Sequence, residues 1–104
     1  MGRGRALVLM QLGQMEEAYE GFNFVLESRP NGAVSRYGRG LAMLWINEQV
    51  AGPPQVPVTA ADLAAARADL AAAVVADAEV AIRFESWGLI LPGDESAEPA
   101  PAAP

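Results

Sequence analysis

Hydrophobic residues recur three and four positions apart through most of this chain, and this spacing predicts α-helices. The clearest case is residues 14–28, where one helical face is apolar; its residues are Met15, Ala18, Phe22, Val25 and Leu26. The positions between them are mostly polar or acidic. The segment is therefore predicted to be an amphipathic helix with one buried face.

Glycines, prolines and capping residues divide the rest of the chain into further helices. Gly13 is of the type that commonly follows a helix C-terminus, and Pro30 and Pro92 cannot continue a helix. Thr59 and Asp62 have the spacing of a capping box at a helix start. No alternating apolar run is long enough for a regular strand. The chain is therefore predicted to be all-α, with five helices at residues 4–12, 14–28, 32–48, 60–77 and 79–91.

Two segments lack the helical pattern. Residues 49–58 contain three prolines and a glycine, which predicts a loop inserted between the third and fourth helices. Residues 93–104 are acidic and rich in proline and alanine, which is typical of disorder. The predicted organisation is one helical domain at residues 1–92, with the inserted loop, and a tail at residues 93–104.

Two short patterns recur with the same internal spacing. Each opens with an alanine and has a large apolar residue four positions later. Each then has a helix break twelve positions after the alanine and a glycine ten positions after the break. Such recurrence indicates an α-helical repeat. The two copies are Ala18, Phe22, Pro30 and Gly40, followed by Ala66, Leu70, Ala78 and Gly88.

These patterns resemble the tetratricopeptide repeat, in which a helix with an aromatic, a glycine and a second aromatic precedes a helix with Ala-x3-Phe and a proline. Arg36 and Arg39 stand where a typical member has apolar residues, which is a variant expected in bacterial repeats. The first-helix halves are Phe84, Trp87, Gly88 and Leu91, and the variant Arg36, Arg39, Gly40 and Met43; the second-helix halves are Ala18, Phe22 and Pro30, and Ala66, Leu70 and Ala78.

The resemblance implies antiparallel helix-turn-helix pairs stacked as a short right-handed α-solenoid, with about two repeats and a last helix. It places small residues where paired helices touch and large residues in the space between the pairs. The small residues are Ala18, Gly40, Ala66 and Gly88, and the large ones are Phe22, Phe24, Leu70 and Phe84. Gly38, on the adjacent face, is expected to accept alanine without loss of stability, because alanine is the better helix former. The inserted loop lengthens the second repeat relative to the family.

In such repeats the first helix of each pair lines a concave groove. The resemblance implies a mostly apolar groove that suits an amphipathic helix or an extended hydrophobic peptide. The alternative is that these residues pack on the neighbouring helix. A lysine-based clamp for a peptide carboxylate is not expected, because the chain has no lysine. The implied groove residues are Leu7, Met10, Tyr37, Leu41, Leu44, Trp45, Ile82, Glu85 and Leu89.

The amino-acid composition limits the partners and the kinds of site that the chain can have. The formal net charge of −6 disfavours nucleic acid as a partner. The chain has neither cysteine nor histidine, which removes thiolate chemistry, the commonest general base and the commonest metal ligand. No catalytic constellation is present, so we expect no catalytic, metal or cofactor site. Arg36 and Arg39 can either bind an acidic partner or pair with carboxylates of the same chain.

No run of 18 apolar residues occurs, so no membrane span is expected. The compartment stays open, with the cytoplasm favoured because no signal-peptide pattern is present. The leading hypothesis is a non-catalytic protein–protein interaction module within a larger assembly. The alternative is a self-associating piece, such as a homodimer, or a fragment of a longer repeat array.

Overall fold

The computed structural model describes residues 2–48 and 58–92, and the regular elements in these two ranges are α-helices. They are α1 (Gly2–Gln11), α2 (Met15–Ser28), α3 (Ala33–Glu48), α4 (Ala60–Ala76) and α5 (Val80–Ser86). The all-α prediction is confirmed, and the first four helices lie within two residues of their predicted bounds. The predicted inserted loop, apart from Val58, and the predicted tail lie outside the described residues.

Local sequence signals set several of the helix ends. The Thr59 hydroxyl accepts a hydrogen bond from the Asp62 backbone N–H at 3.1 Å, and the Asp62 carboxylate accepts one from the Thr59 backbone N–H at 3.1 Å. This is the predicted capping box, and it satisfies backbone donors at the start of α4. Gly13 follows α1 with a φ of 83°, as expected of a residue that ends a helix.

Helix α5 is shorter than predicted, because Gly88 ends it. Gly88 has a φ of 81°, a conformation that favours glycine. Its N–H donates to the Glu85 carbonyl at 3.0 Å, and the Leu89 N–H donates to the Phe84 carbonyl at 2.9 Å. This pair of bonds is a Schellman motif. A Cβ at Gly88 would have no neighbour within 4 Å, so the prediction that it lies where paired helices touch is wrong.

Helix α3 is the centre of the structure. It packs most extensively against α2 and α4, and it also contacts α1 and α5. Among the described residues, no Cα atom of α2 lies within 8 Å of one in α4, and none of α1 lies within 8 Å of one in α5. Each helix therefore packs on the next one along the chain, and α3 also contacts α1 and α5. The side chains at the centre of the core are Met10, Phe22, Leu41, Val80 and Phe84.

Helices α1 and α3 contact each other and also have similar sequences. Residues 4–12 read GRALVLMQL and residues 38–46 read GRGLAMLWI, at an offset of 34 residues. In both segments, Gly-Arg is followed by a mostly apolar run. The offset pairs Gly4 with Gly38 and Arg5 with Arg39, so equivalent positions of the two helices can be compared directly.

Gly40 allows α3 and α4 to approach closely. A Cβ at Gly40 would lie 2.5 Å from the Ala66 carbonyl oxygen, inside any permitted contact distance. Phe22 is fully buried. The prediction that Gly40 and Ala66 lie where two helices nearly touch is confirmed, and so is the burial of Phe22 and Phe84. The prediction that Phe24 fills the space between the helix pairs is wrong, because 68% of its surface is exposed.

Gly38 has a different role from the one expected. The ring of Phe22 lies against it, so that a Cβ would be 2.6 Å from Cε2, 2.7 Å from Cε1 and closer still to Cζ. The expectation that Gly38 accepts alanine was wrong, because helix propensity is outweighed by the missing space. Gly38 therefore packs against the Phe22 ring of α2, whereas Gly40 packs against the backbone of α4.

We expect Gly38→Ala to lower the free energy of unfolding by about 1–3 kcal/mol through overpacking, despite a helix-propensity gain of about 1 kcal/mol. Urea denaturation followed by circular dichroism measures the change. Gly4→Ala is the matched control, because a Cβ there meets nothing within 4 Å. A midpoint for Gly38→Ala equal to or above that of Gly4→Ala contradicts the packing described.

Candidate functional site

The C-terminal ends of α1, α3 and α5 come together on one side of the molecule. After Gly88 the chain turns back across α1 and α3. The Trp45 Nε1–H donates to the Ile90 carbonyl at 2.7 Å, and the Gln11 amide donates to the Trp87 carbonyl at 3.4 Å. Residues 87–91 are thereby attached to the ends of both helices.

A cleft of about 540 Å³ lies between this segment and the two helices. We call it the aromatic cleft. Its side chains are predominantly apolar, and none of them is charged. Its lining consists of Met10, Gln11, Gly13, Met15, Trp45, Trp87, Gly88, Leu89 and Ile90.

Two tryptophans line the aromatic cleft. The Trp87 side chain lies at the edge with 36% of its surface exposed, and Trp45 is half-buried. Trp87 also packs against Phe84, with ring centroids 5.2 Å apart, and Phe84 packs against Tyr37 at 4.6 Å. The aromatic core therefore extends to the surface at this point, where it presents a large apolar ring to solvent.

The structure separates the nine predicted groove residues into three groups. Met10, Trp45 and Leu89 line the aromatic cleft, although Met10 and Leu89 are themselves almost fully buried in the core. Tyr37 and Leu41 are buried in the core, which is the alternative that the sequence left open. The remaining residues do not line the cleft: Leu7 and Leu44 are half-buried, and Ile82 and Glu85 are exposed on α5.

Sequence reasoning did not select Met15, Trp87 or Ile90 as binding residues. Their position depends on the turn at Gly88, which sends residues 87–91 back over α1 and α3. The glycine itself was the available signal, since glycine commonly follows a helix end. Placing the end of α5 there would have put Trp87 outside the helix and near the surface.

The arginines singled out in the sequence are used within the chain. Arg39 donates from Nε and Nη2 to the two carboxylate oxygens of Asp69 at 2.8 and 2.9 Å, and from Nη1 to the Asn23 side-chain oxygen at 2.9 Å. The hydrogen bond to Asp69 raises the pKa of Arg39 above its ordinary value. Arg36 donates to the Pro30 carbonyl at 3.0 Å. Arg39 therefore pairs with a carboxylate of the same chain, which is the second of the two alternatives that the sequence left open.

A wider cavity of about 710 Å³ lies between the N-terminal ends of α1 and α3 and the C-terminal ends of α2 and α4. Arg29 and Asp77 are its charged lining groups, and Asp77 already pairs with Arg83 at 2.6 Å. Phe24 lies at its edge with 68% of its surface exposed.

Within the described ranges, no cluster of three or more acidic side chains is arranged to hold a metal ion. No described helix is both long enough and apolar enough to cross a membrane. Comparisons with protein-family models, with curated proteins and with solved structures found no match to this chain.

Proposed function

We propose that this chain is a non-catalytic protein–protein interaction module that receives an apolar side chain of a partner in the aromatic cleft. The observation that carries the proposal is the cleft itself. It is open to solvent, lined by two tryptophans and two methionines, and free of charged side chains. Large rings in a site of this kind act as anchors for a partner, since burial of an aromatic surface contributes strongly to binding.

The proposed scaffold is a short tetratricopeptide-like solenoid. Two observations support it. The contacts of α1 with α3 and of α3 with α5, with no Cα atom of α2 within 8 Å of one in α4, fit a stack in which alternate helices line one side. The offset of 34 residues between the matching parts of α1 and α3 equals the length of one such repeat.

The chemistry of the cleft favours one class of ligand. Because no charged group faces it, a peptide carboxylate or a phosphate would gain no ion pair there. The Gln11 amide and backbone groups at its edge can orient a peptide by hydrogen bonds. The expected ligand is an amphipathic helix or an extended peptide that inserts leucine, phenylalanine or tryptophan.

The two tryptophans make the cleft directly observable, because the chain contains only these two indole N–H groups. We expect a set of short amphipathic peptides with central leucine, phenylalanine or tryptophan to shift the Trp45 and Trp87 indole signals in ¹H–¹⁵N NMR spectra. Trp87→Ala should weaken the best of these peptides by about tenfold or more, as loss of an aromatic anchor does.

Val75→Ala is the matched control, since Val75 is 88% exposed on α4 and does not line the cleft. It should leave peptide binding unchanged. Absence of indole shifts with every peptide in the set, or shifts confined to α4 signals, would overturn the proposal.

A second candidate function is self-association, and the composition of α4 favours it. Every exposed residue of α4 except Arg67 is alanine or valine. An exposed helix face made mainly of alanine and valine is an apolar surface that a second copy of the chain can cover. Sedimentation velocity at several concentrations distinguishes the two functions: a tight dimer that binds no peptide supports self-association, and a monomer that binds peptide supports the interaction module.

A further inference from the structure

An exposed side of α1, continued by Leu12 just after the helix, carries an apolar stripe that nothing in the described structure covers. At its N-terminal end, Gly4 also lines the wider cavity of about 710 Å³. Val8 is 53% exposed and Leu12 is 66% exposed. Gly4 and Arg5 are also exposed, and a Cβ at Gly4 would meet nothing within 4 Å. We call Gly4, Arg5, Val8 and Leu12 the α1 stripe. None of the four lines the aromatic cleft, so this surface is independent of the proposed function.

An equivalent stripe exists on α3, where side chains of α2 pack against it. At the offset of 34 residues, Gly4, Arg5, Val8 and Leu12 correspond to Gly38, Arg39, Ala42 and Ile46. Ala42 and Ile46 are buried, and α3 packs closely on α2. The Phe22 ring of α2 covers Gly38, and Asn23 of α2 accepts a hydrogen bond from Arg39 at 2.9 Å.

We propose that the α1 stripe is a docking surface for an amphipathic helix of the same type as α2. Such a helix would place an aromatic side chain over Gly4, as Phe22 is placed over Gly38. The neighbouring residue on that helix would accept a hydrogen bond from Arg5. Val8 and Leu12 would be covered by the apolar residues around the aromatic side chain.

The electrostatics of the stripe agree with this occupant. Arg39 is held by Asp69 and Asn23, whereas Arg5 has no hydrogen-bond or ion-pair partner among residues 2–48 and 58–92. A guanidinium beside an apolar stripe selects a helix that carries a carboxylate or a side-chain amide next to its apolar face. It disfavours a basic helix, which would place like charges together.

The chain provides a suitable probe, because its own α2 already fits the equivalent stripe. A fluorescein-labelled synthetic peptide of residues 14–29, which includes Phe22 and Asn23, is titrated with the full chain and followed by fluorescence anisotropy. We expect saturable binding. Phe22→Ala in the peptide, and Gly4→Leu or Val8→Asp in the full chain, should each weaken binding by about tenfold or more.

Gly4 and Val8 are exposed, so these variants keep the fold, and circular dichroism melts verify this. Ile82→Asp on α5 is the matched control, because Ile82 is 63% exposed and lies outside the α1 stripe and outside α4. This variant should bind the peptide like the original chain. Failure of the peptide to bind overturns the proposal. Binding that Gly4→Leu and Val8→Asp leave unchanged also overturns it, because the peptide would then exchange with the native α2. Dimerisation that Val8→Asp abolishes, without peptide binding, assigns the surface to a second copy and overturns the helix proposal.

Discussion

Phe22→Ala is expected to lower the free energy of unfolding by about 3–5 kcal/mol, the range for removing a large buried ring. Phe22 is fully buried, and its ring fills the space that Gly38 leaves open between α2 and α3. Small domains have total stabilities of the order of 5–15 kcal/mol, so this single change removes a large part of the total. Urea denaturation of the variant and the original chain measures the loss.

Phe24→Ala is the control for this experiment, because Phe24 lies on the same helix but is 68% exposed. It should change stability by no more than about 0.5 kcal/mol. A second comparison tests the contact itself. Once the Phe22 ring is absent, Gly38→Ala should cost little, because the methyl group enters the vacated space. Additive effects of the two changes would contradict the direct contact between Phe22 and Gly38.

Gly40→Leu is expected to be about as harmful as Phe22→Ala, with a loss of about 3 kcal/mol or more through overpacking. The obstacle is the Ala66 carbonyl oxygen of α4, at 2.5 Å from the position of a Cβ. A backbone atom cannot rotate away as a side chain can. The helices must therefore separate, which also stretches the ion pair between Arg39 and Asp69.

Thermal melts of Gly40→Leu and Gly4→Leu provide the measurement and its control. The control makes the same replacement in a helix where a Cβ meets nothing within 4 Å. Gly40→Leu should melt at a much lower temperature than the original chain, and Gly4→Leu should not. Similar melting temperatures for both variants would mean that α3 and α4 are not in close contact at Gly40.

The boundaries of α1, α2, α3 and α4 could be predicted because local chemistry determines them. The capping box at Thr59 and Asp62, and the glycine at the end of α1, act within a few residues of chain. The environments of Gly38 and Gly40 could not be predicted in the same way. Both look alike in the sequence, and only the arrangement of α2 and α4 around α3 decides which one faces a ring and which one faces backbone.

The candidate site was predictable in part. Met10, Trp45 and Leu89 were selected from the sequence and line the aromatic cleft. Tyr37 was selected too, but the Phe84 ring packs on it and buries it. Trp87 was assigned to a helix that instead ends before it. Choosing between a continued helix and a turn at a glycine depends on long-range contacts, here the hydrogen bond from Trp45 to the Ile90 carbonyl.

The hydrogen bonds of Arg39 have a consequence for cooperativity. In a stacked helical protein, each helix is stabilised mainly by its immediate neighbours, so the ends can unfold while the middle stays intact. In the described structure no Cα atom of α2 lies within 8 Å of one in α4, yet Arg39 of α3 binds Asn23 of α2 and Asp69 of α4 through one rigid guanidinium. Opening either outer helix removes a partner from that group. We therefore expect α2, α3 and α4 to open together rather than one at a time.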